Sequence, residues 1–397
     1  MMSKRSLAVL AGVIGAAVAL GPLPAEAAPA AQAAPAAQAA PAAQAAPATP
    51  GAGWDAASVA ARTSEQAAFI RGQQRPSGAI LHGSGGVNPY FGNYAALGLL
   101  AEGSQPSVSA AARWLDWVFA HLNTASGADG GRFTIDDYAI VAGAEVSTGG
   151  YDSVDSYAAT TLMVAAALWK KTDATGRSTL ASRIGAFEKV AALLGPAPTG
   201  VRKASGLTQA TFTYNVAYLM DNAEVYQGLH DFAALEAALG RSAQAAAYAS
   251  WATTTRNAIV AKQWNPQKNL WSWHDSVAPD LSGPFYAQSM AQYFPIDFGV
   301  VPPTDSRAST SWAALTARWP GWRSNELDRA EAATPLAYAA ALMGDAAGAR
   351  AMLDDIAIQY APGWNYPVVK TGSLTTWWSP AQAGWYIRTL QLLGTSR

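Results

Sequence analysis

Segments rich in alanine and leucine, with apolar residues at helical spacing, follow one another along most of this chain. They predict helices at 54–73, 89–101, 106–123, 153–171, 177–194, 210–229, 240–262, 285–294, 307–318, 326–343, 346–360 and 379–393. The helices form six pairs that recur about every 50–60 residues, although no pair copies another in sequence. This period predicts a closed or stacked array of helical hairpins.

The connections between the helices are unequal in length. Several are very short, such as AEGSQ and MGDAAG, whereas every second one is long and rich in Gly, Pro, Asp and aromatic residues. Within the long segments, FTIDDYAIV and NLWSWHDSV alternate as short strands do. Because every second connection of a hairpin ring lies at the same end, one end should be built up into walls, and a site is expected there.

The helices that follow the long segments differ from the others. NPYFGNYAALGLL and YDSVDSYAATTLMVAAAL open with aromatic and polar residues and become apolar later, whereas AARWLDWVFAHL is an ordinary amphipathic helix. This pattern predicts an inner ring with solvated N-terminal ends, wrapped by an outer ring. The expected fold is therefore all-α, an (α/α)6 toroid of six helical hairpins with long loops and short strands at one end.

This architecture resembles the six-hairpin glycosidase superfamily, and WNPQKNLWSW is similar to a tryptophan-rich loop segment of that superfamily. The resemblance runs from about Trp54 to Leu393 and implies a substrate groove at the N-terminal ends of the inner helices. Polysaccharide lyases, terpene cyclases and prenyltransferases share the toroid, so the fold alone does not decide the reaction.

The N-terminal region has the pattern of an export signal followed by a spacer. Residues 1–27 combine Lys4 and Arg5, an apolar stretch and an Ala-Glu-Ala cleavage site, which together predict a signal peptide. Residues 28–53 repeat APAAQA and predict a disordered spacer. The catalytic domain is expected at 54–397, in a secreted protein that is extracellular or associated with the cell wall.

Composition excludes several classes of function. The formal net charge of −1 favours neither nucleic acid nor an anionic membrane as a partner. No later stretch is apolar for long enough to predict stable membrane insertion. The chain has no cysteine, and its four histidines show no zinc-ligand spacing, so neither a metal nor another cofactor is expected. We expect a monomer that acts on a polysaccharide or oligosaccharide.

Glycosidic hydrolysis needs two carboxyl groups across the scissile bond. In GGYDSVDSY, Asp152 is predicted to cap the following helix, and Asp155 is predicted to lie at the mouth of the ring. Asp221 occurs inside the apolar helix predicted for YNVAYLMDNAEVYQGL, where Tyr214 and Tyr218 should share its face. We expect Asp155 and Asp221 to divide the acid and base roles, with inversion implied by analogy with toroid relatives.

The predicted substrate-binding residues are aromatic and polar side chains of the long loops and helix starts. They are Tyr90, Asp137, Tyr151, Tyr157, Tyr214, Tyr218, Asn222, Trp273, His274 and Trp377. By contrast, Asp328 and Glu331 are assigned to a first helical turn, where acids are favoured by the helix dipole alone.

Two alternatives stay open at this point. A polysaccharide lyase could use His82 with Asn88 and Tyr90, or His274, to abstract a proton beside a uronate carboxyl. A non-catalytic glycan-binding protein of the cell wall would also suit the loop tryptophans and the spacer. Asp221 argues against the second, since binding alone needs no acid in an apolar helix.

Overall fold

A computed structural model describes residues 53–82, 85–125, 131–328, 331–360, 364, 368–369, 375–376 and 378–395. The predicted signal peptide and, except for Gly53, the predicted spacer lie outside these residues, as does Trp377.

Within that part of the chain, thirteen α-helices account for most of the fold. They are α1 (Ala56–Gly72), α2 (Pro89–Glu102), α3 (Gln105–Ala120), α4 (Asp155–Lys171), α5 (Ala174–Ser182), α6 (Ile184–Ala192), α7 (Leu219–Ala238), α8 (Ser242–Gln263), α9 (Phe294–Asp297), α10 (Ser306–Arg318), α11 (Thr334–Leu342), α12 (Ala346–Tyr360) and α13 (Pro380–Thr395). Met290–Gln292 and Pro320–Ser324 form short 3₁₀ helices.

Six helices form a closed inner ring. Helix α2 packs on α4, α4 on α7, α7 on α9, α9 on α11, α11 on α13, and α13 returns to α2. The remaining helices lie outside this ring, where α1 contacts α13 and α2, and α8 packs along α7. The predicted (α/α)6 toroid is therefore confirmed.

Glycines allow the inner helices to approach closely. A Cβ atom on Gly98 of α2 would lie 2.3 Å from the Gly384 Cα of α13, and one on Gly228 of α7 would lie 2.5 Å from the Ala159 carbonyl oxygen of α4. Real Cβ atoms do not come that near to backbone atoms, so these two contacts of the ring require glycine.

Short antiparallel pairs occur in the long connections, as the alternating segments predict. Strand β1 (Tyr138–Val141) pairs with β2 (Ala144–Ser147), β3 (Trp264–Asn265) with β4 (Leu270–Trp271), and β5 (Val368–Val369) with β6 (Thr375–Thr376). The first hairpin is fixed to the helices through Glu145, which accepts hydrogen bonds from Arg75, Ser77 and Trp117.

Three predicted helices differ from the observed ones in position or in length. Helix α7 begins at Leu219 and not at 210, because the hydroxyl of Thr211 accepts hydrogen bonds from the Thr213 and Tyr214 amides and forms a turn there. Helix α11 begins at Thr334 and not at 326, and the segment predicted at 285–294 contains only the 3₁₀ turn and the start of α9. In addition, the predicted helix 177–194 is divided into α5 and α6 at Arg183.

Among the helices of the described residues, none combines the length and the apolar character that crossing a bilayer requires.

Candidate active site

The residue at the N-cap position of α4 is not the predicted one. The helix begins at Asp155, and its N-cap position is taken by Val154, whose amide donates to the Ala210 carbonyl at 2.6 Å. The amide of Ser156 is satisfied by the hydroxyl of Ser153 at 3.1 Å. The prediction that Asp152 caps the helix is therefore wrong, because the chain enters the helix two residues later and a serine accepts the free amide.

Asp155 is fully buried and fully hydrogen bonded. Its Oδ1 accepts from the Ser153 hydroxyl at 2.7 Å and the Ser156 amide at 3.0 Å, and its Oδ2 accepts from the Thr208 hydroxyl at 2.7 Å. Burial raises the pKa of this carboxyl, while the donors oppose that rise. Asp155 thus joins α4 to the segment before α7, and it exposes no atom to a substrate.

Asp221 lies in the first turn of α7 and is partly exposed. Burial raises its pKa well above the ordinary aspartate value, and the charges of Asp155, Glu224 and Asp152 raise it further. Asp155 therefore lies close enough to Asp221 for its charge to act on it, and the surroundings of Asp221 favour its protonated form.

Asp152 belongs to the same group of acids. Its Oδ1 is buried and has no hydrogen-bond partner among the described residues. Burial, together with the charge of Asp155, raises the pKa of Asp152 to about 6. Sequence reasoning assigned Asp152 to a cap and so missed it as a functional candidate. Its position at the end of a long glycine-containing loop was the available signal.

Asp137 is held in place by two donors. Its Oδ1 accepts from the amide of Asn88 at 3.0 Å and the hydroxyl of Tyr157 at 2.9 Å. Burial raises its pKa to about 7, and the charges of Asp152 and Asp136 act in the same direction. Asp137 is partly exposed, so the predicted role in substrate binding is compatible with its position.

Glu224 is a fifth acid that the sequence did not single out as functional. It lies one turn after Asp221 on α7, is fully buried, and accepts the hydroxyls of Tyr90 and Tyr94 on Oε1 at 2.7 and 2.5 Å. Burial raises its pKa to about 8. Together with Asp137, Asp152, Asp155 and Asp221 it forms what we call the carboxyl cluster. Within the described residues, no member of the cluster forms an ion pair.

Three aromatic side chains surround Tyr218, which lies close enough to Asp221 for the charge of that acid to raise its pKa. The ring of Tyr218 stacks on Trp273 at 5.6 Å, the hydroxyls of Tyr214 and Tyr218 are 3.1 Å apart, and His274 meets Tyr218 edge-on. The prediction that Tyr214, Tyr218 and Asp221 share one helical face is wrong, because α7 starts only after Tyr218. The four aromatic residues come together instead through the pairing of Tyr218 with His274.

The other predicted binding residues divide into two groups. Tyr90, in the first turn of α2, and Tyr151, in the loop that leads into α4, are both partly exposed. Asn222, in contrast, is fully buried. Its side-chain oxygen accepts the Thr208 amide, and its side-chain nitrogen donates to the carbonyls of Thr208 and Tyr218. Tyr157 is 3% exposed, with its hydroxyl on Asp137. Both are corrected to supporting positions, since the surrounding protein already occupies their polar atoms.

His82 offers little to a lyase mechanism. Its ring stacks on Phe91 at 4.1 Å, and burial lowers its pKa to about 4. Across the described ranges, no three His, Cys, Asp or Glu side chains are grouped in a way that could hold a metal ion. The chemistry available in this part of the molecule is that of paired carboxyl groups.

Comparisons with known proteins agree with this chemistry. The family model described as "Mannosylglycerate hydrolase MGH1-like glycoside hydrolase domain" matches residues 144–351, just over half of the 397 residues. No curated protein matches the chain.

Several solved structures share the fold. A glycosidase variant is 18% identical with a TM-score of 0.63, covering 86% of this chain and 99% of its own. A metal-independent α-mannosidase of Streptococcus pneumoniae, in a non-productive complex with α-1,6-mannobiose, is 11% identical with a TM-score of 0.60, covering 85% and 95%. A reducing end xylose-releasing exo-oligoxylanase is 16% identical with a TM-score of 0.56, covering 87% and 92%.

The family match and the carboxyl cluster favour hydrolysis over the lyase and the non-catalytic alternatives. This chain belongs to the mannosylglycerate hydrolase MGH1-like glycoside hydrolase family, and it is a glycoside hydrolase.

Proposed function

We propose that this protein is an exported, inverting glycoside hydrolase in which Asp221 is the general acid and Asp152 the general base. The observation that carries the proposal is the separation of their pKa values within one cluster. Asp221 is held well above its ordinary value, whereas Asp152 is raised only to about 6. The surroundings therefore favour the protonated form of Asp221 more strongly than that of Asp152, as a pair of acid and base requires.

In the proposed reaction, Asp152 takes a proton from a water molecule as that water attacks the anomeric carbon. The glycosidic C–O bond breaks, and the leaving oxygen receives the proton of Asp221. Inversion requires about 6.5–9.5 Å between the two carboxyl groups, so that the water fits between base and sugar. Asp137 would bind a sugar hydroxyl beside them.

The sequence-based pairing of Asp155 with Asp221 stays a prediction, but the geometry supports a different role for Asp155. A carboxyl with three donors and no exposed atom is suited to positioning Asp152 and the start of α4. We therefore propose Asp155 as a positioning residue, and separate variants distinguish the two roles.

The substrate is proposed to be a polysaccharide or oligosaccharide of neutral sugars. The aromatic rings of Tyr218 and Trp273 beside Asp221 suit the flat faces of sugar rings. Related folds occur in a glycosidase variant in complex with glucose, in the α-mannosidase with α-1,6-mannobiose and in the exo-oligoxylanase. Mannosylglycerate, which names the family model, belongs in the test panel.

The test is a panel of mannosides, glucosides, xylo-oligosaccharides and mannosylglycerate, followed by variants on the best substrate. Asp221→Asn and Asp152→Asn should each lower kcat by at least about a hundredfold at unchanged Tm. Asp231→Asn, on the same helix but outside the carboxyl cluster, is the matched control and should keep activity. Full activity in either cluster variant would overturn the assignment, and proton NMR of the first anomer released decides between inversion and retention.

Export and oligomeric state are further parts of the proposal. The signal sequence predicted at 1–27 supports secretion to the cell exterior or the wall. The N-terminal sequence of protein recovered from the medium should begin near residue 28, and light scattering should give the mass of a monomer. An intact N-terminus on cell-retained protein would contradict export.

A further inference from the structure

Glu224 is a buried acid whose two oxygens have different surroundings. Its Oε1 accepts two hydroxyls, from Tyr90 and Tyr94, which both belong to α2 and reach across the ring from a helix that is not adjacent to α7. Its Oε2 is buried and has no hydrogen-bond partner among the described residues. The two tyrosine donors fill Oε1 and fix the plane of the carboxyl group.

Asp221 lies three residues before Glu224 on α7, so the two side chains are neighbours on one face of the helix. Within the described residues, no side chain donates a hydrogen bond to the Asp221 carboxyl, whereas Glu224 receives two. Donors stabilise the ionised form of an acid. Two like charges so close in a buried site are strongly unfavourable, so the pair should lose its protons one at a time.

Charged groups on two neighbouring helices, α4 and α13, also lie near this pair. Asp155 on α4 raises the pKa of both acids of the pair. Arg388 on α13 has a charge that acts to lower the pKa of Tyr94, and its guanidinium stacks on Trp385 at 4.0 Å.

The remaining helices that pack on α7 add little charge at this point. Asp297 on α9 is buried, and burial raises its pKa well above the ordinary value, which favours its neutral form. On α8, Arg256 donates to the Val300 carbonyl and Lys262 is exposed. Glu224 is therefore the member of the pair whose ionised form is better stabilised.

We infer that Asp221 and Glu224 act as one proton-sharing pair, in which Glu224 is a positioning residue that ionises first and thereby keeps the proton on Asp221. This inference rests on the proposed function of Asp221 as the acid. As pH rises, the first proton leaves Glu224, and the resulting charge opposes ionisation of Asp221. The pair extends the range of pH over which Asp221 can donate a proton to a leaving group.

The experiment is a pH profile of kcat/KM from about pH 4 to 10 for the wild type, Glu224→Gln and Tyr94→Phe. Glutamine has the shape of the neutral acid but cannot ionise, so this variant removes the charge of Glu224 and keeps the side chain in place. The basic limb of the kcat/KM profile of Glu224→Gln should move to lower pH by about one unit. Tyr94→Phe removes one donor, so it should shift the limb in the same direction by a smaller amount. Asp231→Asn should leave the profile unchanged.

An unchanged basic limb in Glu224→Gln would overturn the inference, as would an equal loss of activity at every pH, which indicates a structural role only. A readout independent of turnover is the carbon-13 NMR titration of the Asp221 carboxyl, which should titrate at lower pH in Glu224→Gln and in Tyr94→Phe. If Asp221→Asn keeps full activity, the proposed function fails, while this titration still decides whether the pair exists.

Discussion

The hydroxyl of Thr208 donates to Asp155 Oδ2 at 2.7 Å and joins the start of α4 to the chain that leads into α7. Thr208 also contacts Asn222 through its amide and its carbonyl, so a single residue links the first turns of two inner helices. The carboxyl cluster is held together at this point.

Loss of that link should destabilise the protein. Thr208→Val removes the hydroxyl that donates to the buried Oδ2 of Asp155, and we expect a loss of about 1–3 kcal/mol in the free energy of unfolding. Asp155→Asn should also cost stability, although it keeps one accepting oxygen. Urea denaturation measures both, with the surface variant Thr253→Val as control. Wild-type stability in both variants would mean that the link contributes nothing.

Asp152 and Ser153, at the start of α4, should affect activity and stability differently. Asp152→Ala should not lower the free energy of unfolding, because Ser153 and not Asp152 accepts the helix amide. Activity should fall by at least about a hundredfold, since the proposed base is gone. Ser153→Ala should instead lower the Tm. A loss of stability in Asp152→Ala with normal turnover would restore the role of Asp152 as a cap.

Stability should fall as pH rises above the acid range. Burial raises the pKa of Asp152, Asp137 and Glu224 from 3.8, 3.8 and 4.5 to about 6, 7 and 8. Between the lower and upper values the folded protein binds more protons than the unfolded chain, so the free energy of unfolding decreases with pH.

Urea midpoints at pH 5 and pH 8 check this dependence, and the midpoint at pH 8 should be the lower one. Glu224→Gln should flatten the curve between about pH 5 and 8, because the amide cannot ionise. A midpoint that rises steadily from pH 5 to pH 8 would show that these carboxyl groups do not control stability.

The aromatic residues beside Asp221 should act mainly through binding. Trp273→Ala removes the ring that stacks on Tyr218, and KM should rise by about tenfold with a smaller change in kcat. Trp169→Ala, near the other end of α4, serves as the control and should leave KM unchanged. An effect on kcat alone would place Trp273 in the chemistry and not in substrate binding.

The sequence alone was sufficient for the architecture. Helical spacing of apolar residues and the alternation of short and long connections are local properties of the chain, and they predicted the hairpin ring and the end that carries the site. Asp221 was singled out as a candidate for the same reason, since an acid in an apolar segment is visible without a structure. Family membership then confirmed glycoside hydrolysis.

Only the tertiary structure shows how the surroundings of the acids differ. Ser153 and not Asp152 accepts the helix amide, and the hydroxyl of Thr208 donates to Asp155. The tyrosines of α2 donate to Glu224 from 130 and 134 residues away in sequence. The charge state of a carboxyl depends on its burial and on donors brought to it by other elements. Those are set by the packing of the ring and leave no mark in the residues on either side.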